Sequence, residues 1–140
     1  MLSQFNGIQV SFQGSILGFD ELDTFVMEAV EETPFAYLNS IENPELSFLV
    51  TPPFQWYKNY ELQLSDLLKK RLNTERPEEV LVLSIVTIRD PQQASTINLL
   101  APLIINVSRK VGLQHVFHEQ TAYKTNSPLF ADDQGQGGEE

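Results

Sequence analysis

Residues 78–88, EEVLVLSIVTI, carry the reading on which the fold turns: from Val80 to Ile88 the chain is Val, Leu and Ile broken only by Ser84 and Thr87. Successive side chains of a strand point to opposite faces, so a strand apolar at both parities must be covered on both sides. This stretch is therefore expected in the middle of a sheet. Working outward, the commonest local period is two. GIQVSFQG (7–14) sets Ile8, Val10 and Phe12 against Gln9, Ser11 and Gln13, one apolar face of a strand. YELQLS (60–65) repeats the device with Tyr60, Leu62 and Leu64 and reads as a further strand. PFAYLNSI (34–41) and ELSFLVT (45–51) are short, aromatic and β-branched, with ENPE as turn chemistry around Pro44. LDTFVMEAVE (22–31) fits strand or helix, and the alternation of Phe25, Met27 and Ala29 favours strand. PLIINV and LQHVFHE flank SRKVG, a turn-rich and basic connection that reads as a hairpin.

Helix is scarce. SDLLKKRL (65–72) has Ser65 to cap it, Asp66 at the positive end of the dipole and Lys69, Lys70 and Arg71 at the negative end. NTERPEE stops it, and a second short turn is expected around DPQQAST. Eight or nine short strands with little room for βαβ crossovers predict an all-β fold, a small antiparallel β-barrel-like domain with one or two short helices. Residues 1–130 are expected to form this single domain. The segment 131–140, ADDQGQGGEE, has no apolar residue beyond Ala131 and is expected to be a disordered acidic glycine-rich tail.

With 140 residues and a 41% hydrophobic content, the chain can build one real core. It has no cysteine, which removes disulfides, thiol nucleophiles and Cys-ligated zinc and agrees with a reducing compartment. The opening MLSQFNGIQ lacks a signal-peptide pattern, and no apolar run approaches the roughly 20 residues of a spanning helix. A cytoplasmic protein with no membrane partner is expected. The net charge of −10 is unevenly spread: residues 1–57 contain eight acids and no Lys or Arg, residues 58–131 carry +2, and the segment from Asp132 carries −4. Such a field disfavours direct nucleic-acid binding and draws basic partners.

Residues that could do chemistry are few. His115 and His118, three apart on a strand, point to opposite faces and cannot share a metal ion. There is no Gly-x-Ser-x-Gly elbow, and the glycine pair of GSILGF matches neither a P-loop nor a dinucleotide fingerprint; it reads as a bend between strands. No catalytic residue, cofactor or metal is expected. Two stretches read as candidate contact surfaces. TPPFQWY (51–57) gathers Phe54, Trp56 and Tyr57 in a loop, either as interface anchors or as cover for one end of the barrel. NLLAPLIIN (98–106) interrupts an apolar run with Pro102, which belongs at an edge, a strand start or a bulge. Asn98 and Asn106 can hydrogen-bond to the local backbone, leaving either a docking edge with spare backbone groups or a structural bulge.

That last block, followed by VSRKVGLQ, resembles the signature of the flagellar assembly factor W (FliW) family, Asn-Leu-x-Ala-Pro-Ile/Leu-x-Ile-Asn with Gly-x-Gln shortly after. The matching residues are Asn98, Leu99, Ala101, Pro102, Leu103, Ile105, Asn106, Gly112 and Gln114. ILGFDEL, TPFAYLNSIENPELSFLVTPPF and LVLSIVTI resemble other family elements in order, and the likeness extends to about Leu129. Asn39, Ser15 and Pro52 depart from the pattern, and Pro52 puts in doubt any contact that relatives make at that turn. The resemblance implies a non-enzymatic cytoplasmic β-barrel that binds flagellin and, alternatively, CsrA, a basic RNA-binding dimer that represses flagellin translation. Antagonism of CsrA would then couple flagellin synthesis to export, by competition for the RNA site or, as the resemblance implies, allosterically. A flagellin chaperone without a regulatory role and a small hydrolase are the rival readings. The expected partner-binding residues are Pro53, Phe54, Asn98, Leu99, Ala101, Pro102 and Asn106.

Overall fold

The computed structural model of the chain describes residues 2–74, 76, 79–117 and 123–130. Nine strands are present among them: β1 (Gln9–Ser11), β2 (Thr24–Ala29), β3 (Ala36–Ser40), β4 (Ser47–Thr51), β5 (Val80–Thr87), β6 (Thr96–Ile97), β7 (Leu103–Asn106), β8 (Val111–Gln114) and β9 (Ser127–Pro128). The order β4-β3-β2-β1-β8-β7-β5 closes on itself through a β4–β5 pairing, which makes a seven-stranded barrel, and β6 and β9 extend from β5. Six of the seven barrel seams are antiparallel; β1 and β8 meet in parallel at Ser11 and Val111. Between β4 and β5, the helix α1 spans Asp66–Leu72. No helix among the described residues is long and apolar enough to cross a membrane. The segment expected to be a disordered tail, 131–140, lies outside the described residues, as does His118.

β5 is the hub, hydrogen-bonded to β4, β6 and β7. Leu81, Leu83 and Ile85 face the barrel interior with Phe12, Phe25 and Leu103. The opposite parity is covered from outside in two places. Val80 joins Leu62, Leu64, Leu68, Leu72 and Ile104, whereas Val86 joins Tyr60, Trp56, Ile97, Leu99 and Leu129. The doubly apolar sequence of β5 is thus answered by a core on one face and a roof on the other.

The roof explains where the sequence reading of YELQLS departs from the structure. Residues 60–65 form no strand. Their alternation is real, with Tyr60, Leu62 and Leu64 turned inward and Glu61, Gln63 and Ser65 exposed. The segment lies across the barrel as a strap and is not paired within the sheet. Period two reports which side faces apolar surface, and a strap satisfies it as well as a strand does. The strap leads into α1, whose Ser65 Oγ accepts from Leu68 N at 3.2 Å and whose C-terminus ends on Asn73 in the left-handed region. Seven residues are too few for an independent helix. Burial of Leu68 and Leu72, roughly 1.5–3 kcal/mol each, is what holds it.

Two glycines permit the closure. Gly14 has φ +75°, and a Cβ there would lie 2.7 Å from the Asp20 carbonyl oxygen, so the GSILGF bend excludes a side chain. Gly112, on β8, leaves the space that the Phe12 ring fills: an added Cβ would meet Phe12 Cε1 at 2.7 Å. Phe12 is itself fully buried edge-on against Phe25 and has nowhere to retreat. Gly112→Ala is therefore expected to destabilise the barrel by about 1–3 kcal/mol through overpacking. Chemical denaturation checks this, and an unchanged midpoint would contradict the packing described here.

Candidate partner-binding surface

The segment 98–106 is an internal brace. Leu99, Ala101, Pro102 and Asn106 are buried, and Asn98 is half-buried. The backbone groups expected to be spare are used within the protein. Asn98 N–H donates to the Ile85 carbonyl at 2.9 Å, and Leu99 and Leu100 N–H both donate to that of Lys124. Asn98 Oδ1 accepts from Leu100 N and Ala101 N at 3.1 and 3.0 Å, the local amide turn that its side chain favours. The carbonyls of Leu99, Leu100, Ala101 and Pro102 accept from Tyr60 Oη, Phe117 N, Gln114 Nε2 and His115 N respectively. Burial pushes the Tyr60 phenol well above its ordinary pKa, with neighbouring Tyr123 adding to the rise, so it remains a neutral donor.

At the other end, Asn106 joins three elements. Its Nδ2 donates to Leu72 O at 2.9 Å and Asn73 O at 3.3 Å, satisfying carbonyls at the α1 C-terminus, and its Oδ1 accepts from Ser108 N and Arg109 N in the β7–β8 turn. Pro102 comes immediately before β7, where a missing N–H costs the ladder nothing. The side chains of Leu99, Ala101, Pro102 and Asn106 are therefore closed to a partner as the protein stands, and the structure favours the bulge reading of this stretch over the docking one.

The turn at Pro53 and Phe54 divides in the same way. Pro53 is buried at the start of a 3-10 turn over Pro53–Gln55. Trp56 donates from Nε1 to Thr51 Oγ1 at 2.9 Å and packs on Phe35 and Phe130; the Tyr57 hydroxyl donates to the Pro128 carbonyl. Of the aromatic cluster only Phe54 is exposed, at 43%. Its ring stands 5.5 Å from that of Tyr60, at the mouth of a groove of about 350 Å³ lined by Pro52, Leu62, Leu64 and Val82.

The described residues build no such roof over the outer face of β2 and β3. Val26, Glu28, Tyr37 and Asn39 stand there with Ser47 of β4, and all are half-buried or exposed. The register sets Glu28 opposite Tyr37 and Val26 opposite Asn39, and Asn39 Nδ2 donates to Glu28 Oε1 at 2.9 Å. Tyr37 is 40% exposed. Exposed acids border the face at both ends, with Glu31 and Glu32 in the β2–β3 turn and Glu42 and Glu45 in the β3–β4 turn. The ion pair present among the described residues joins Arg76 and Glu79, so none of these acids is neutralised by a cation there. The sequence reading passed over Tyr37. Its place between the apolar Ala36 and Leu38 was the available signal, because the parity that buries those two turns Tyr37 outward.

Near this face, Asp23 ties β1 to β2. Its carboxylate accepts from Ser11 Oγ at 2.7 Å, Thr24 Oγ1 at 3.0 Å and Gln13 N at 2.8 Å. The Ser11 bond is the main cause of a pKa held below the ordinary aspartate value, with partial burial opposing it and the Thr24 and Gln13 bonds adding to it. No group of three or more His, Asp or Glu among the described residues could hold a metal ion.

Comparison with known proteins agrees with this geometry. The FliW protein family model matches residues 4–129. The chain is similar to the flagellar assembly factor FliW of Clostridium novyi (strain NT), 40% identical over 122 residues, covering 86% of this chain and 85% of the relative. It is also similar to that of Geobacillus thermodenitrificans (strain NG80-2), 38% identical over 121 residues, with 86% and 83% covered. A crystal structure of the flagellar assembly factor FliW superposes with a TM-score of 0.81 at 37% identity, covering 87% of this chain and 85% of that one.

Two outcomes follow from these placements. Asn98→Ala and Asn106→Ala each strand buried backbone groups and are expected to cost about 1–3 kcal/mol, whereas Phe54→Ala should cost less than about 1 kcal/mol; denaturant melts of the three variants would expose an error if Phe54→Ala were the most damaging. Because the Asp23 pKa is lowered on folding, the stabilisation it contributes is complete at neutral pH and is lost as pH falls through and below the ordinary carboxylate range. Asp23→Asn should then flatten the acid limb of stability against pH, and an acid limb parallel to that of the unaltered protein would rule this out.

Proposed function

Because the chain belongs to the FliW family, we propose that it acts in flagellar assembly as a docking protein that transforms no substrate. It binds flagellin and, alternatively, the RNA-binding translational repressor CsrA in the cytoplasm, where both are made, so that flagellin translation follows export. The observation that carries this reading is the β2–β3 face, which no other described residue covers, acidic and without a Lys or Arg anywhere in residues 1–57. A protein that holds RNA must be basic, and an acidic face of this kind speeds encounter with it while repelling the RNA. Tyr37, 40% exposed and placed between Glu28 of β2 and Leu49 of β4, has the amphipathic character of an interface anchor.

Antagonism of CsrA is allosteric in this proposal: the acidic face docks beside the RNA site and biases the repressor. Titration separates linkage from competition, since a saturable loss of RNA affinity that excess RNA does not reverse requires two distinct sites. The second reading, a flagellin chaperone alone, draws on the apolar groove at Phe54, whose size of about 350 Å³ suits an apolar segment of an unassembled subunit.

Binding of purified CsrA and flagellin to the unaltered chain and to Tyr37→Ala and Glu28→Lys variants tests the proposal. Each substitution is expected to weaken CsrA binding about tenfold, which corresponds to about 1.4 kcal/mol, and association should slow as salt rises to physiological strength. Capture of flagellin without any CsrA binding would leave the chaperone reading, and a salt-independent association rate would remove the role given to the acidic face.

A further inference from the structure

The chain has nine Lys and Arg against nineteen Asp and Glu, yet four of the nine line one groove. It lies between the C-terminal end of α1 and the β7–β8 turn and has a volume of about 710 Å³; among the described residues its charged lining is Lys69, Lys70, Arg76 and Arg109 with the acids Asp66 and Glu79. Glu79 is already engaged: its Oε1 accepts from Thr74 Oγ1, and its Oε2 lies 3.5 Å from Arg76 Nε. Among the described residues Lys69, Lys70 and Arg109 form no ion pair. The Asn73 and Ser108 side chains at the same groove are exposed and donate to no group of the described protein.

Favourable placement of cations at a helix C-terminus accounts for part of this. It does not account for Arg109, which comes from a different element and is brought here because Asn106 bonds both the α1 carbonyls and the Arg109 N–H. We propose that this groove is a binding site for an acidic peptide segment, on the side of α1 and the β7–β8 turn and separate from the acidic β2–β3 face. The proposal does not rest on the function proposed above.

The lining selects among anions. A volume of this order suits a short peptide stretch and is generous for a lone oxyanion. A nucleic-acid strand carries a phosphate charge at every nucleotide, which Asp66 and the overall charge of −10 oppose. A peptide places its carboxylates discretely, so that they can meet Lys69, Lys70 and Arg109 while its backbone N–H groups donate to Asp66. The Asn73 amide and the Ser108 hydroxyl remain to donate to its carbonyls.

The probe is a fluorescent synthetic decapeptide of sequence ADDQGQGGEE, which has four carboxylate side chains and no cation, measured by anisotropy against the full chain. A second form of the full chain, with Asp132 and Asp133 changed to Asn and Glu139 and Glu140 to Gln, removes competition from the same residues in cis. Saturable binding to at least one form is expected, weakening as salt passes about 0.1 M, where the screening length falls to about 10 Å. Lys70→Glu with Arg109→Glu should weaken it about tenfold, and Lys70→Gln with Arg109→Gln less. Both residues are exposed, so the Gln pair should melt close to the unaltered chain, and the Glu pair slightly lower because an acid at the α1 C-terminus opposes the helix dipole. The amide form of the peptide, with Asn and Gln in place of its acids, should not bind. Absence of binding to both forms of the chain would overturn the proposal. So would affinity unaffected by the charge reversals, or equal binding of a ten-nucleotide RNA or of inorganic phosphate.

Discussion

β5 cannot be exposed on either face, and most of the architecture answers that demand. Its inward parity, Leu81, Leu83 and Ile85, is met when β4 closes the barrel against it and the interior fills with Phe12, Phe25 and Leu103. Its outward parity, Val80, Val82 and Val86, needs material that the barrel strands cannot supply. The strap of residues 60–65, helix α1 and the aromatic layer of Trp56, Tyr57 and Phe130 supply it. A barrel of seven short strands has a small interior, and a second apolar layer outside β5 and β7 enlarges the surface withdrawn from water.

The roof in turn needs fixing, and residues 98–106 fix it. Tyr60 of the strap is tied to the Leu99 carbonyl, α1 to Asn106, and the chain around Lys124 to Leu99 and Leu100. Two asparagines flank a proline-interrupted apolar run because both ends must satisfy backbone groups that neither strand nor helix pairs. Gln114 belongs to the same device: it reaches Ala101 O with one end of its amide and receives Leu17 N–H with the other. Of the residues that carry the family resemblance, Asn98, Asn106 and Gln114 are thus explained by internal bonding.

The proposed function falls to the surface that the roof does not cover. Coverage of β5 and β7 concentrates aromatic and apolar side chains on one flank, and the described residues leave the acid-rich β2–β3 face open on another. The positive groove at α1 results from the same arrangement, since Asn106 ties the β7–β8 turn to the helix end. Opposite charges are thereby held on different elements of one small barrel.

The sequence alone determined the elements that local physics dictates. The doubly apolar β5, the alternation of β1 and β2, the Ser65-capped helix and the GSILGF bend were all readable, because face parity, capping and positive φ are properties of a few neighbouring residues. The closure of the β4–β5 seam, the parallel β1–β8 contact and the role of YELQLS as a strap were not readable. Each depends on which distant segment arrives alongside, and a period of two is the same for a ladder strand and an unpaired strap. The candidate site divides along the same line. Charge asymmetry is a sum over residues and could be counted, and the outward parity of Tyr37 could have been read. The burial of Leu99, Ala101, Pro102 and Asn106 was decided only in three dimensions, where partners 13 to 39 residues away along the chain take up hydrogen-bonding groups that the sequence left open.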